Sequence, residues 1–194
     1  MKCGWMPMVA ATVILVGCTP TSPPTTPAPT PTFMCTPEAG GAEAPCSQQD
    51  YDKMKAKDEQ YAEAEKVYRE FTGEIERVLR EGGATRLPST ITSKVADAEL
   101  QSTVLAQLES FKVQGLRLQG PGLAIKAVKR MPGRVLKNSS VTMQFCVDAS
   151  QNGAYRGGKK QQSLGISRET MYFRASEGGL QIVGGDYEVV TSCK

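Results

Sequence analysis

The chain has 194 residues, 40% of them hydrophobic and 22% charged, with a formal net charge of +3. That is the length of one ordinary domain with extensions, and the composition is that of a globular protein rather than a disordered one. The mild charge gives no reason to expect nucleic acid as a partner, and the absence of histidine excludes a histidine-based triad, a histidine metal site and an imidazole proton shuttle.

At the amino terminus Lys2 supplies a thin positive region and Met8 to Val16 a short apolar run. The run is well below the ~20 residues that a spanning helix needs, so residues 1–17 read as a signal peptide. Leu15-Val16-Gly17-Cys18 resembles the lipobox of bacterial lipoproteins. In that reading Leu15 and Gly17 are recognised by the signal peptidase, Gly17 because a small side chain leaves the scissile bond accessible. Cys18 carries the nucleophile that takes a diacylglyceryl thioether, and each acyl CH₂ buried in the bilayer contributes about 0.8 kcal/mol. The alternative is an ordinary signal peptide with an incidental cysteine. The expected address is extracytoplasmic, with the membrane as the first partner through lipidated Cys18.

Residues 19–32, TPTSPPTTPAPTPT, form neither helix nor packed strand, because proline locks φ and removes donors. A semi-rigid polyproline-like tether is expected there, with a reach of roughly 40 Å at ~3.1 Å per residue. Residues 18–46 are thus read as tether plus a small cysteine loop, and 47–194 as the folded domain.

Of six cysteines, Cys3 leaves with the signal and Cys18 is lipidated, so Cys35, Cys46, Cys146 and Cys193 remain. An even number in an exported chain points to disulfides, and three pairings exist. We expect Cys35–Cys46, which closes a loop containing Pro37, Gly40, Gly41 and Pro45, and Cys146–Cys193, which ties a middle strand to the last one. Zinc is the rival, but neither a CxxC spacing nor a histidine supports it.

From 47 to 82, Tyr51, Met54, Tyr61, Ala64, Tyr68, Phe71, Ile75 and Val78 recur at spacings of three and four, with a gap near Asp58. This predicts one long amphipathic helix, capped by Ser47 or Asp50 and ended by Gly82-Gly83. A connection with Pro88 follows over 84–96. A second helix over 97–112 carries Leu100, Val104, Leu105, Leu108 and Phe111 on its apolar face.

β-Branched and alternating residues then dominate. Strands are predicted at Leu116 to Val128 with a bulge or bend at Gly120-Pro121-Gly122, at Val135 to Val147 with a bend near Asn138, at Ser163 to Arg174, and at Leu180 to Ser192 with a bulge at Gly184-Gly185. Residues 148–162 read as an exposed hairpin connection. Helices followed by an antiparallel meander imply α+β, with a sheet that curls around the long helix to cover its stripe.

In this order the chain resembles secreted actinobacterial lipoproteins with a nuclear transport factor 2-like domain, a cystatin-like α+β cone. The matching features are the lipobox and Thr/Pro tether, the long helix, residues 106–116 leading into the first long strand, Cys146-Val147-Asp148 at a strand end and Cys193 next to the last residue. The resemblance covers roughly 47–194. It implies the cone fold, the Cys146–Cys193 bridge and the outer face of a Gram-positive cell membrane, and no activity. Leu180-Gln181-Ile182 stands where such domains often carry a tryptophan in the last strand.

Proton transfer in a cone mouth calls for a carboxylate beside a phenol. Candidates by residue type are Tyr51, Tyr61, Tyr68, Asp148, Tyr155, Tyr172, Asp186 and Tyr187, but no spacing unites a pair of them. The helix tyrosines read instead as core residues with wet hydroxyls, and Asp148 as the start of a turn. Residues 112–194 hold 13 bases against 5 acids. Arg156, Lys159 and Lys160 share one loop as candidate contacts to an anionic surface. The domain is expected to bind a small apolar ligand or an envelope protein partner, without catalysis and without a cofactor. An isomerase- or hydrolase-like enzyme and a surface-blocking lipoprotein of phage origin are the alternatives.

Overall fold

The computed structural model describes residues 32–136 and 138–194. The signal peptide, Leu15, Gly17, Cys18 and the tether up to residue 31 lie outside the described residues. The elements run β1 (Phe33–Cys35), β2 (Ala44–Cys46), α1 (Gln48–Glu81), α2 (Ser89–Thr92) and α3 (Ala98–Gln114). Seven strands follow, β3 (Arg117–Gln119), β4 (Ala124–Arg130), β5 (Val141–Asp148), β6 (Gly153–Arg156), β7 (Lys159–Ser163), β8 (Ile166–Ser176) and β9 (Gly179–Val190). The class is α+β, with one long helix and three antiparallel sheets, β1-β2, β3-β6-β7 and β4-β5-β8-β9. No helix among the described residues is long and apolar enough to cross a membrane.

Helix α1 is bounded where its sequence marks it. The Ser47 side chain accepts from the Asp50 N–H at 3.1 Å and donates to Asp50 Oδ2 at 2.7 Å, satisfying an orphan donor of the first turn. Gly82 takes φ 101°, and the Gly83 N–H closes onto the Val78 carbonyl, the left-handed exit that glycine alone adopts without strain. The apolar stripe faces inward, with Tyr61, Ala64, Tyr68, Phe71 and Val78 buried. The gap in the stripe at Asp58 is filled by an ion pair, since Arg130 of β4 donates to its carboxylate at 2.5 Å. Helix α3 repeats the design with Asp97 as cap and Gly115 at φ 64°.

The strands depart from the sequence expectation in three places. The single strand expected over Leu116 to Val128 is two, because the chain changes sheets at Gly120-Pro121-Gly122. Asn152, from 30 residues away, holds that corner by accepting from Gly122 N–H and donating to Gly122 carbonyl oxygen. The 148–162 connection is not a bare loop but carries β6 and β7, which pair with β3. The strand expected from Val135 starts only at Val141. Gly133 takes φ 78° and Asn138 φ 58°, the described residues between 131 and 140 carry no strand, and Arg134 among them reaches the face of the sheet that carries Tyr172.

The long sheet is a meander with the β6–β7 hairpin inserted between β5 and β8. Its register sets Val141, Met143, Phe145 and Val147 beside Phe173, Met171, Glu169 and Ser167, and alternation puts all eight on one face. That inner face meets α1, where Tyr68 stacks on Phe145.

Both expected disulfides are formed, Cys35–Cys46 and Cys146–Cys193, with Cα atoms 5.8 and 5.6 Å apart, the ordinary span of such a bridge. The second bridge ties β5 to the tail beyond β9 rather than to the strand itself. The small Cys35–Cys46 loop, expected to belong with the tether, is a β1–β2 hairpin that folds back on α1. Phe33 meets Tyr51 with ring centroids 5.3 Å apart, and Glu38 accepts from the Tyr61 hydroxyl at 2.6 Å. The compact unit accordingly runs from Thr32 to Lys194.

Candidate functional site

A cavity of about 920 Å³ lies between the carboxyl-terminal half of α1, the first turns of α3 and the inner face of the long sheet. Phe71, Ile75 and Leu79 form its α1 wall, and Leu100, Thr103 and Val104 its α3 wall. Its origin lies in β9. The ladder slips between Tyr172 and Phe173 of β8, and at Gly185 the strand places no side chain on the inner face, where a Cβ would stand 2.7 Å from Met171 Sδ. Before this bulge, Ile182 exchanges backbone hydrogen bonds with Lys94 and Ala96, which closes that end. Beyond it β9 runs open, and Tyr187 and Val189 line the cavity while 68% and 70% exposed. They mark the mouth.

The polar groups in the cavity converge on Glu169. One carboxylate oxygen accepts from the Tyr68 hydroxyl at 2.8 Å and the other from the Ser167 hydroxyl at 2.9 Å. Burial, and then the Glu169 charge, push the Tyr68 phenol well above its usual range, so it stays a proton donor to Glu169. Sequence reasoning named Tyr68 and missed Glu169. The signal was a carboxylate at the inward parity of an otherwise apolar strand face, Glu169-x-Met171-x-Phe173. The expectation of wet hydroxyls on the helix tyrosines is also corrected, because Tyr61 and Tyr68 are buried and donate to Glu38 and Glu169.

The structure unites one pair from the sequence candidates. The Tyr172 hydroxyl donates to Asp186 at 2.8 Å, and Arg134 donates to both, each at 2.9 Å. Burial, then the bond to Asp186, raise the Tyr172 phenol. This group sits on the opposite face of β8 from Glu169, as the register of alternate residues requires, and clamps the 131–140 loop to the sheet. Asp148 starts a turn as expected. Its carboxylate accepts from both the hydroxyl and the N–H of Ser150, which hold it below the usual range. Tyr51 belongs to the hairpin contact, and Tyr155 pairs with Lys160 in the β6–β7 ladder.

Arg156, Lys159 and Lys160 are exposed at the β6–β7 tip, around Gly157 and Gly158 at φ 57° and 78°. Two successive left-handed residues make the tight hairpin turn that glycine permits. No ion pair to these three cations is found among the described residues.

Comparison with protein-family models and with curated proteins gives no match to the chain.

Proposed function

We propose that the protein is a lipid-anchored extracytoplasmic lipoprotein whose domain, nuclear transport factor 2-like in build, holds a small apolar molecule in the cavity between α1, α3 and the sheet. The cone reading is supported by the order of elements, a long helix lying on the inner face of a four-stranded meander. The lipobox and the two disulfides support the address, since such bridges persist where the environment is oxidising.

The observation that carries the reading is the cavity itself. Its volume of about 920 Å³ is that of a small-molecule site, mostly apolar with a few convergent polar groups. An isomerase- or hydrolase-like enzyme in the same cavity has less support. The buried phenol that would polarise a carbonyl already spends its proton on Glu169.

The test is extraction of the protein purified gently from its native membrane. Organic extracts of folded protein should contain an apolar compound near one equivalent, absent from extracts of the same protein washed after unfolding. If nothing co-purifies and an apolar fluorescent probe neither binds nor gains emission, the binding reading fails. The address is tested separately. Cys18→Ala should abolish palmitate labelling and move the protein out of the membrane fraction, and unchanged labelling overturns the anchor.

A further inference from the structure

The charged side chains among the described residues that line the cavity are all acids. Among the described residues its ionisable acids are Asp97, Glu99, Glu169 and Asp186, and no lysine or arginine lines it. This runs against the composition, since 23 of the chain's residues are Lys or Arg and 20 are Asp or Glu. Two of the four acids are used locally. Asp97 caps α3 by accepting from the Leu100 N–H at 2.8 Å, and Asp186 is paired with Arg134 at 2.9 Å. Glu169 differs, because its hydrogen-bond partners are the neutral hydroxyls of Tyr68 and Ser167. A carboxylate so placed has its geometry fixed, and no ion pair to it is found among the described residues. Directly across the β8–β9 ladder stands Tyr187, close enough for its ring and the carboxylate to face one ligand group. A carboxylate beside an exposed aromatic ring, at the mouth of an apolar cavity, is the arrangement that recognises an ammonium group.

We infer that the cavity takes an amphiphile with an ammonium head, its apolar body between α1 and the sheet and its head held by Glu169 and Tyr187. The inference rests on the binding reading above and narrows it to one ligand class. Amphiphiles with carboxylate or phosphate heads are disfavoured in the same geometry, since they would place like charges together with no lysine or arginine among the described lining residues to receive them.

Three probes of equal chain length separate the possibilities: octylammonium, octanol and octanoate, titrated calorimetrically into the full chain held in lipid nanodiscs, with empty nanodiscs as blank. Octylammonium should bind roughly ten- to a hundredfold more tightly than octanol, the span of a charge-assisted hydrogen bond, and octanoate most weakly. Glu169→Gln should bring octylammonium down to the level of octanol. Tyr187→Leu changes a residue that is 68% exposed and leaves the fold intact; it should weaken octylammonium about threefold or more while octanol is unaffected. Equal binding of the three heads, a preference for octanoate, or an ammonium preference that survives both substitutions overturns the inference and leaves the cavity as a site for apolar molecules. Failure of all three probes to bind removes the binding reading as well.

Discussion

The ring of Tyr68 lies face to face on Phe145, with centroids 3.6 Å apart and planes within 12°. This contact joins the middle of the long helix to the centre of the sheet, and it also aims the Tyr68 hydroxyl at Glu169. Packing and site geometry therefore depend on one side chain. Tyr68→Phe keeps the stack and deletes the hydrogen bond to the carboxylate, which should cost about 1–2 kcal/mol in denaturant unfolding. Tyr68→Ala removes the ring from a fully buried position and should cost about 3–5 kcal/mol. The phenol also sets an alkaline limit. Its folded-state pKa is raised above the usual 10.0, so its contribution is complete below pH 10 and is lost as pH climbs further. Tyr68→Phe should flatten that alkaline loss, and unfolding curves taken between pH 8 and 11 check it.

The two disulfides should differ in worth. They close loops of 11 and 47 residues, and loop-closure entropy gives roughly 3 kcal/mol for the shorter and roughly 4 kcal/mol for the longer. Replacing Cys146 and Cys193 together by alanine should lower the urea midpoint more than replacing Cys35 and Cys46. The reverse order would mean that the β1–β2 hairpin braces α1 more strongly than its contacts indicate.

Acid should act through Glu74. Hydrogen bonds from Arg77, then from Thr90, lower its carboxyl from the ordinary 4.5 to about 2. A depressed folded pKa stabilises above the unfolded value, and the effect disappears as pH falls from about 4.5 to about 2. Arg77 is half exposed, so solvent screening holds the contribution to about 1 kcal/mol. Glu74→Gln should be less stable than the parent by that amount at pH 7 and equal to it near pH 2, as thermal melts across that range will read.

Gly83 fixes how closely α1 and α3 approach. A Cβ there would lie 2.1 Å from the Leu108 carbonyl oxygen and 2.7 Å from the Lys112 nitrogen, at φ 79°. Both neighbours are backbone, so neither yields cheaply. Gly83→Ala should cost roughly 2–5 kcal/mol, from left-handed strain and overpacking together. Gly40 has a similar φ of 85° but open space around it, and Gly40→Ala should cost only about 1–2 kcal/mol. Melting temperatures of the two variants separate backbone strain from steric contact.

What was legible in the sequence was local. Ser47 and Gly82 mark the ends of α1 because caps act within a turn, whereas Asp97 shows itself as the cap of α3 only in the structure. Within the 148–162 hairpin connection the strands β6 and β7 are not legible, because Lys159, Lys160, Gln161 and Gln162 are polar on both faces and show no alternation. The sheet change at Gly120–Gly122 is imposed by Asn152, and Glu169 is met by Tyr68 from 101 residues away. No window along the chain contains those partnerships. The cavity is less legible still, since it arises from the bulge in β9 and from the distance that Gly83 sets between the two helices.

The bridge between Cys146 and Cys193 makes residues 146–193 a covalent ring that includes the cationic turn and the cavity wall carrying Ser167, Glu169 and Tyr187. A protease that cuts at the exposed Gly157-Gly158 tip therefore severs the polypeptide without releasing either fragment. Nicked molecules stay in one covalent piece until a reductant opens the ring.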